Sequence, residues 1–121
     1  MHYGIDIAGG GIGGTSIYAA QSGRVIKVSN TCTHNFSKNY RDGCGGGYGN
    51  YIIIDHGGGM STLYAHCGSV NVSNGQFVNK GDVIGTVGST GWSTGYHLHF
   101  EVRKNGKAVN PFDYQPYIYI Y

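Results

Sequence analysis

Two histidines, His97 and His99, lie two positions apart in a stretch whose residues favour a β-strand. Residues i and i+2 of a strand point to the same face, so the two imidazoles would lie side by side, with Leu98 and Phe100 on the opposite face. Paired imidazoles suit a metal ion, or a metal ion beside a group that transfers a proton. A structural metal site usually has more ligands close by in sequence, often cysteines, and none lie close to this pair. Further ligands must therefore come from distant parts of the chain.

Candidates for those ligands lie at the start of the chain, where His2 and Asp6 are four positions apart. The glycines around them argue against a helix and favour a short extended segment that runs into a loop. Together with one of the two late histidines, they supply three nitrogen and oxygen ligands and leave a fourth position open. That is the pattern of a catalytic zinc site. The residues alone leave open whether His97 or His99 holds the metal.

One more histidine, His66, stands at the end of an alternating stretch that reads Thr-Leu-Tyr-Ala-His. The order of the motifs, His-x-x-x-Asp, then Leu-Tyr-Ala-His, then His-Leu-His, resembles the lysostaphin-type zinc endopeptidases. These are also called LytM-like proteins, and they cut peptidoglycan peptides. The segments 80–85, 88–91 and 109–111 also stand where that family carries similar segments, so the resemblance covers nearly the whole chain.

The resemblance implies a role for each of these residues. His2, Asp6 and His99 would bind Zn²⁺, and His66 and His97 would lie beside the metal as catalytic residues. One or both of the catalytic histidines would orient or deprotonate a water molecule and stabilise the tetrahedral intermediate. The implied reaction is hydrolysis of peptide bonds in peptidoglycan stem peptides or cross-bridges.

The family also implies a location and an alternative function. Its members act outside the cytoplasm, as secreted, cell-wall or phage-associated proteins, and they usually carry sequence before the first motif, so we expect additional domains in the full-length protein. Some LytM-like domains have lost metal residues and serve as wall-binding or regulatory modules. Such an inactive module is the alternative function.

The pattern of short apolar stretches and turn residues predicts an all-β domain, with a single antiparallel sheet and long glycine-rich loops around the groove of the zinc site. The resemblance implies an arrangement like the duplicated hybrid motif. We predict a hairpin of strands 15–19 and 24–28, and an Asn105-Gly106 turn of type I′. Further predicted strands span residues 50–56, 60–66 and 83–87. The turn-associated His56 is predicted to be structural, and the loop 30–49 has a rim of aromatic residues that includes Tyr48.

The chain has 121 residues, which predicts one catalytic domain over residues 1–113 and a tail rich in Tyr and Ile over 114–121. Its aromatic fraction of 13% is too high for a disordered chain. A net charge of +2 without a Lys/Arg cluster argues against a nucleic-acid partner. No apolar stretch approaches the length of a membrane span, so no transmembrane segment is expected.

The remaining predictions concern the three cysteines and a resemblance to carrier domains. Cys32 and Cys44 flank a polar loop and would close it by a disulfide in an oxidising compartment, with a gain of about 3 kcal/mol. Cys67 is predicted to be a small, half-buried thiol. Residues 78–85 resemble the strand–turn–strand repeat of biotinyl and lipoyl carriers. A carrier needs an exposed lysine at a hairpin tip, and Lys104 occupies such a turn, but the residues that flank it do not match a carrier.

Overall fold

A computed structural model describes residues 4–8, 11–32, 48–90 and 95–114. In this part of the chain, the strands form a single antiparallel sheet. His2, Cys44 and residues 115–121 lie outside this part of the chain. Its strands are β1 Ile5–Ala8, β2 Ser16–Tyr18, β3 Gly23–Ser29, β4 Asn50–Gly57, β5 Met60–Val70, β6 Phe77–Val78, β7 Val83–Val87, β8 His97–Lys104 and β9 Lys107–Val109. A short 3-10 helix, Pro111–Tyr114, follows. The prediction of an all-β, single-sheet domain is confirmed.

Strand β5 organises the sheet because it pairs with β8, β4 and β7. The main strand order is β1-β8-β5-β4-β3-β6, with β9 paired to β8 and β2 paired to β7. The pairing of β5 with β8 ends at Ala65, and its pairing with β7 starts at Cys67. His66 lies between them with a left-handed φ of 61°, which is rare for a residue with a side chain. The strand therefore changes partner at His66 and continues four residues beyond it to Val70.

Alternation along β8 separates the core from the histidine face. Leu98, Phe100 and Val102 are at most 3% exposed and belong to the hydrophobic core. Phe100 packs against Tyr64 of β5, with ring centroids 5.4 Å apart. The alternation predicted for the paired histidines is thus confirmed, and packing of the apolar side fixes the register of β8, since a shift by one residue would turn the polar side chains into the hydrophobic core.

The predicted hairpin of residues 15–19 and 24–28 is wrong. Strand β2 pairs with β7, whereas β3 pairs with β4 and β6. The segment between them is not a solvent-exposed turn, because Ala19 and Ala20 are at most 2% exposed. Backbone hydrogen bonds join Ala19 to Gly81 and Asp82, and the Tyr64 hydroxyl accepts the N–H of Ala20. These long-range contacts carry the chain from one part of the sheet to another.

The hairpin between β8 and β9 agrees with its prediction. Asn105 and Gly106 have positive φ values of 52° and 82°, as both central residues of a type I′ turn require.

In the described part of the chain, we found no helix with the length and apolarity needed to cross a membrane.

The described cysteines differ in state. Cys32 is disulfide-bonded, and Cys44, its predicted partner, lies outside the described residues. Cys67 carries a free thiol that is completely buried, more than predicted, and burial raises its pKa to about 12. A thiol that stays protonated is a poor nucleophile, so Cys67 is a core residue.

Candidate metal and catalytic centre

The register of three neighbouring strands brings the predicted residues together. Strand β8 lies between β1 and β5, and His99 is opposite Asp6 on one side and Ala65 on the other. Asp6 Oδ1 lies 2.8 Å from His99 Nδ1. The same carboxylate oxygen is 3.9 Å from His97 Nε2. One carboxylate therefore reaches both histidines of the β8 pair.

His66 joins this group from β5. Its ring centroid lies 4.6 Å from that of His97 and 6.3 Å from that of His99. Its backbone N–H donates to the carbonyl of Tyr48 at 2.8 Å, which helps to hold the left-handed conformation. Unusual backbone conformations concentrate at functional sites, where surrounding contacts hold them in place. Three histidines from distant parts of the sequence thus form one cluster.

Two of the three histidines are held by backbone carbonyl groups. His66 Nδ1 lies 2.6 Å from the carbonyl oxygen of Thr90, and His97 Nδ1 lies 2.9 Å from that of Gly95. A carbonyl only accepts, so Nδ1–H is the donor in each case, and the neutral ring carries its lone pair on Nε2. Burial lowers the pKa of His66 to about 4, and the neighbouring imidazoles act in the same direction. His66 is therefore a neutral base at physiological pH.

The third histidine is held between two carboxylates. His99 Nδ1 contacts Asp6, and Nε2 lies 2.7 Å from Glu101 Oε2. Burial alone would lower the pKa of His99, but the hydrogen bonds to Glu101 and Asp6 outweigh it and raise that pKa. The environment of this ring thus favours positive charge, whereas that of His66 disfavours it.

Sequence analysis did not predict that Glu101 and Tyr48 belong to the candidate site, where both contact His99. Burial would raise the pKa of Glu101, but hydrogen bonds from His99, Arg103 and Tyr48 lower it to about 2. Tyr48, predicted as part of a loop rim, instead donates its hydroxyl to Glu101, and burial together with that carboxylate raises its pKa. Glu101 extends the i, i+2 spacing of the histidine pair by one step, which is the signal that indicates its side of the strand.

An open cleft of about 250 Å³ borders the cluster and is lined by Asp6, Ala8, Gly95, Tyr96 and His97. Tyr96 packs on the glycine-rich segment, since a Cβ placed on Gly13 would lie 2.7 Å from its ring. The cleft gives an extended ligand access to Asp6 and His97.

The structure brings together four of the five predicted site residues: Asp6, His66, His97 and His99. The fifth, His2, lies outside the described residues. Among those that are described, no set of three or more His, Cys, Asp or Glu side chains is arranged to hold a metal ion. Asp6 and His99 nevertheless offer an oxygen and a nitrogen donor at one point, and both donor types suit zinc.

Residues 1–111 match the sequence profile of peptidase family M23. Two similar proteins are named for different functions, one as a peptidase and one as an activator. The DD-carboxypeptidase/endopeptidase Mpg of Neisseria meningitidis serogroup B is 43% identical over 111 residues, covering 92% of this chain and 22% of that protein. The murein hydrolase activator NlpD of Escherichia coli K12 is 42% identical over 113 residues, covering 93% and 26%. The chain thus spans about a quarter of the length of these relatives.

Solved structures share the same fold. The catalytic domain of the antimicrobial peptidase lysostaphin from Staphylococcus simulans superposes with a TM-score of 0.70 at 32% identity, covering 94% of this chain and 78% of that one. A zinc-containing peptidase from Vibrio cholerae gives a TM-score of 0.70 at 35% identity, covering 89% of this chain and 28% of that one.

Proposed function

This chain belongs to peptidase family M23, and from that premise we propose that it is a zinc-dependent endopeptidase that hydrolyses peptide bonds in peptidoglycan stem peptides or cross-bridges. The observation that carries the proposal is the 2.8 Å approach of Asp6 to His99, with His66 and His97 beside them. The named peptidases among the similar proteins support the same reaction.

His2, Asp6 and His99 are the proposed zinc ligands. The contacts of His99 with two carboxylates support its assignment, because Asp6 lies at Nδ1, the nitrogen proposed to face the metal, while Glu101 holds Nε2 on the other side of the ring. The Asp6 carboxylate lies 2.8 Å from His99 but 3.9 Å from His97, which favours His99 over His97 as the ligand that shares the metal with Asp6. When bound, zinc acts as a Lewis acid toward the scissile carbonyl and makes a water molecule more acidic.

His66 is the proposed proton-transfer group. Its Nδ1–H is committed to the Thr90 carbonyl, so Nε2 accepts a proton as the water oxygen bonds to the carbonyl carbon. The same proton then passes to the amine that leaves when the C–N bond breaks. His97 lies against His66 and is held by Gly95, so it orients the water and the developing tetrahedral centre. Neither histidine needs to bind the metal to act.

The proposed location is the cell envelope, outside the cytoplasm. The murein and peptidase functions named for similar proteins support this, and so does the disulfide of Cys32, because disulfides persist in oxidising compartments. We propose a catalytic domain over residues 1–113, with the tail after it and further domains elsewhere in the full-length protein. Tyr114 itself packs against the core.

Digestion of purified peptidoglycan fragments tests the proposed reaction. The chain is incubated with the fragments alone, with a chelator, and with chelator followed by added zinc, and new peptide termini are identified by mass spectrometry. We expect cleavage that the chelator abolishes and zinc restores. Cleavage that is indifferent to the chelator, or absent from protein that holds stoichiometric zinc, would contradict the proposal.

A second candidate function is activation of another murein hydrolase, since NlpD is 42% identical to this chain. Four described residues of the expected catalytic set favour the enzyme. The two functions separate in one assay, in which this chain is mixed with a murein hydrolase of known activity. An activator would increase the partner's rate even when Asp6→Ala has removed any activity of the chain itself.

A further inference from the structure

We infer that Glu101 is a positioning residue, held by Arg103 and Tyr48, that fixes the ring of His99 with Nδ1 toward Asp6. The inference rests on the proposed function, since it assigns to Glu101 control of the affinity for zinc. Sequence and family resemblance assigned no role to these three residues.

The contacts of Glu101 leave its carboxylate no freedom to rotate. Oε2 lies 2.7 Å from His99 Nε2 and accepts the Tyr48 hydroxyl at 3.0 Å. Oε1 accepts Nε–H of Arg103 at 2.9 Å. The residue is only 5% exposed, so water does not compete well for these oxygens. Three donors from three different side chains thus set the direction from which Glu101 meets His99.

Tyr48 restrains the same imidazole from another side. Its ring stacks on that of His99, with centroids 5.8 Å apart and planes inclined by 23°. Nη2 of Arg103 donates to the Tyr48 hydroxyl at 3.4 Å, which closes a ring of contacts with Glu101. The carbonyl of Tyr48 also accepts the backbone N–H of His66. Tyr48 therefore links the position of the proposed ligand to that of the proposed base.

The difference between His99 and its neighbours indicates what this arrangement is for. His66 and His97 each donate Nδ1–H to a neutral backbone carbonyl. Among these three, His99 alone has a carboxylate behind the nitrogen that faces away from Asp6. A carboxylate behind a metal-binding imidazole orients the ring and makes it a better ligand, and loss of such a partner typically weakens metal binding by about 10- to 100-fold.

Competition between the protein and a chromophoric chelator measures this effect without reference to catalysis. We expect Glu101→Gln to weaken zinc binding by about 10- to 100-fold, because the amide replaces one accepting oxygen by an NH2 group and removes the negative charge behind His99. The matched control is Asp82→Asn, a carboxylate that accepts a backbone N–H in an exposed turn. The control should leave the affinity unchanged.

A double-mutant cycle tests whether Arg103 acts through Glu101. Arg103→Ala should weaken zinc binding in the wild-type background and have little further effect when Glu101→Gln is already present. Cobalt substitution gives a second readout, since a ring that has turned would change the visible absorption of bound Co²⁺. If Glu101→Gln fails to fold, Tyr48→Phe removes one hydrogen bond to the carboxylate and should weaken zinc binding several-fold.

The experiments distinguish failure of the role inferred for Glu101 from failure of the proposed function. Wild-type affinity and an unchanged cobalt spectrum in Glu101→Gln, or in Tyr48→Phe where the first variant does not fold, would overturn the inference and leave the proposed function standing. Equal effects of Arg103→Ala in both backgrounds would overturn the role assigned to Arg103. A wild-type chain that binds no zinc would overturn both proposals together.

Discussion

Two clusters of polar side chains adjoin strand β5, one around His56 and one that contains His66, His97 and His99, and their histidines have different partners. In the first, His56 Nδ1 lies 2.9 Å from the Ser22 carbonyl and Nε2 lies 2.7 Å from the Thr62 hydroxyl. That hydroxyl lies 2.7 Å from the hydroxyl of Tyr64, which accepts the N–H of Ala20. Both nitrogens of His56 therefore contact protein groups within a closed set of hydrogen bonds.

In the second cluster, His99 contacts a carboxylate through each ring nitrogen, and the cluster borders an open cleft. His66 and His97 contact backbone carbonyls through Nδ1, while Asp6, which lies between His97 and His99, is 62% exposed at its side chain. Burial alone does not separate the clusters, because it lowers the pKa of both His56 and His66. The surroundings separate the two clusters: both ring nitrogens of His56 contact Ser22 and Thr62, whereas the second cluster includes the mostly exposed carboxylate of Asp6.

Removal of Asp6 should have the largest effect on the cleft-facing cluster and none on the other. We expect Asp6→Ala to abolish stoichiometric zinc binding and peptide cleavage, because one proposed ligand is lost. Folding should persist, since the side chain is mostly exposed. Zinc content after dialysis and mass spectrometry of digests provide the measurements. Zinc retained at one ion per chain would exclude Asp6 as a ligand.

Replacement of His66 should separate metal binding from catalysis. His66→Asn is the preferred change, because asparagine tolerates the left-handed backbone at this position better than alanine. We expect turnover to fall by about 10²- to 10⁴-fold, the usual contribution of a general acid–base group, with zinc content unchanged. Turnover within a few-fold of wild type would remove His66 from the mechanism.

Replacement of His56 should lower stability without affecting metal binding or catalysis. His56→Gln leaves the Ser22 carbonyl or the Thr62 hydroxyl without its partner, so we expect the free energy of unfolding to fall by about 1–3 kcal/mol. Zinc affinity and turnover should stay at wild-type values under native conditions. Urea denaturation followed by fluorescence gives the stability. A loss of zinc affinity in this variant would show that the two clusters are coupled along β5.

The smallest expected effect is on the pH dependence of stability. Burial lowers the pKa of His56 in the folded state, so near that pKa the unfolded chain binds more protons at this residue. The free energy of unfolding therefore decreases as pH falls below about 6.5, by at most about 1.4 kcal/mol per pH unit for one group. His56→Gln should reduce this slope between pH 6.5 and 5. An identical slope in both proteins would contradict the assignment.

Local pattern predicted the parts of the fold that depend on local rules. Alternation in β8 indicated which face carries His97 and His99, and Asn105-Gly106 indicated its turn. The predicted pairing of β2 with β3 was wrong because the polar segment 21–23 resembles a hairpin turn, although Ala19 and Ala20 before it are buried by residues distant in sequence. Which strands become neighbours depends on contacts that spacing does not encode.

The candidate site likewise contains residues that the sequence indicated and residues that only the structure revealed. Residue types and spacing indicated the histidines and Asp6, the family resemblance assigned their roles, and the structure brings the described ones together. The role of Tyr48 was not predictable, because its contacts with His99 and Glu101 depend on the packing of a segment that reads as polar loop. Zinc ligation by His2, Asp6 and His99, the catalytic roles of His66 and His97, and the pairing of Cys32 with Cys44 stay predictions.

The pairing of β1 with β8 has a consequence for the order of events during synthesis. The partners Asp6 and His99 come from nearly opposite ends of this sequence, so a ribosome completes almost the whole domain before their strands can meet. Contacts between residues so distant in sequence form late, because closing a long loop costs entropy before it gains stabilisation. A nascent or prematurely terminated chain that lacks β8 therefore cannot bring Asp6 and His99 together, so the candidate site assembles only after nearly the whole domain has been made.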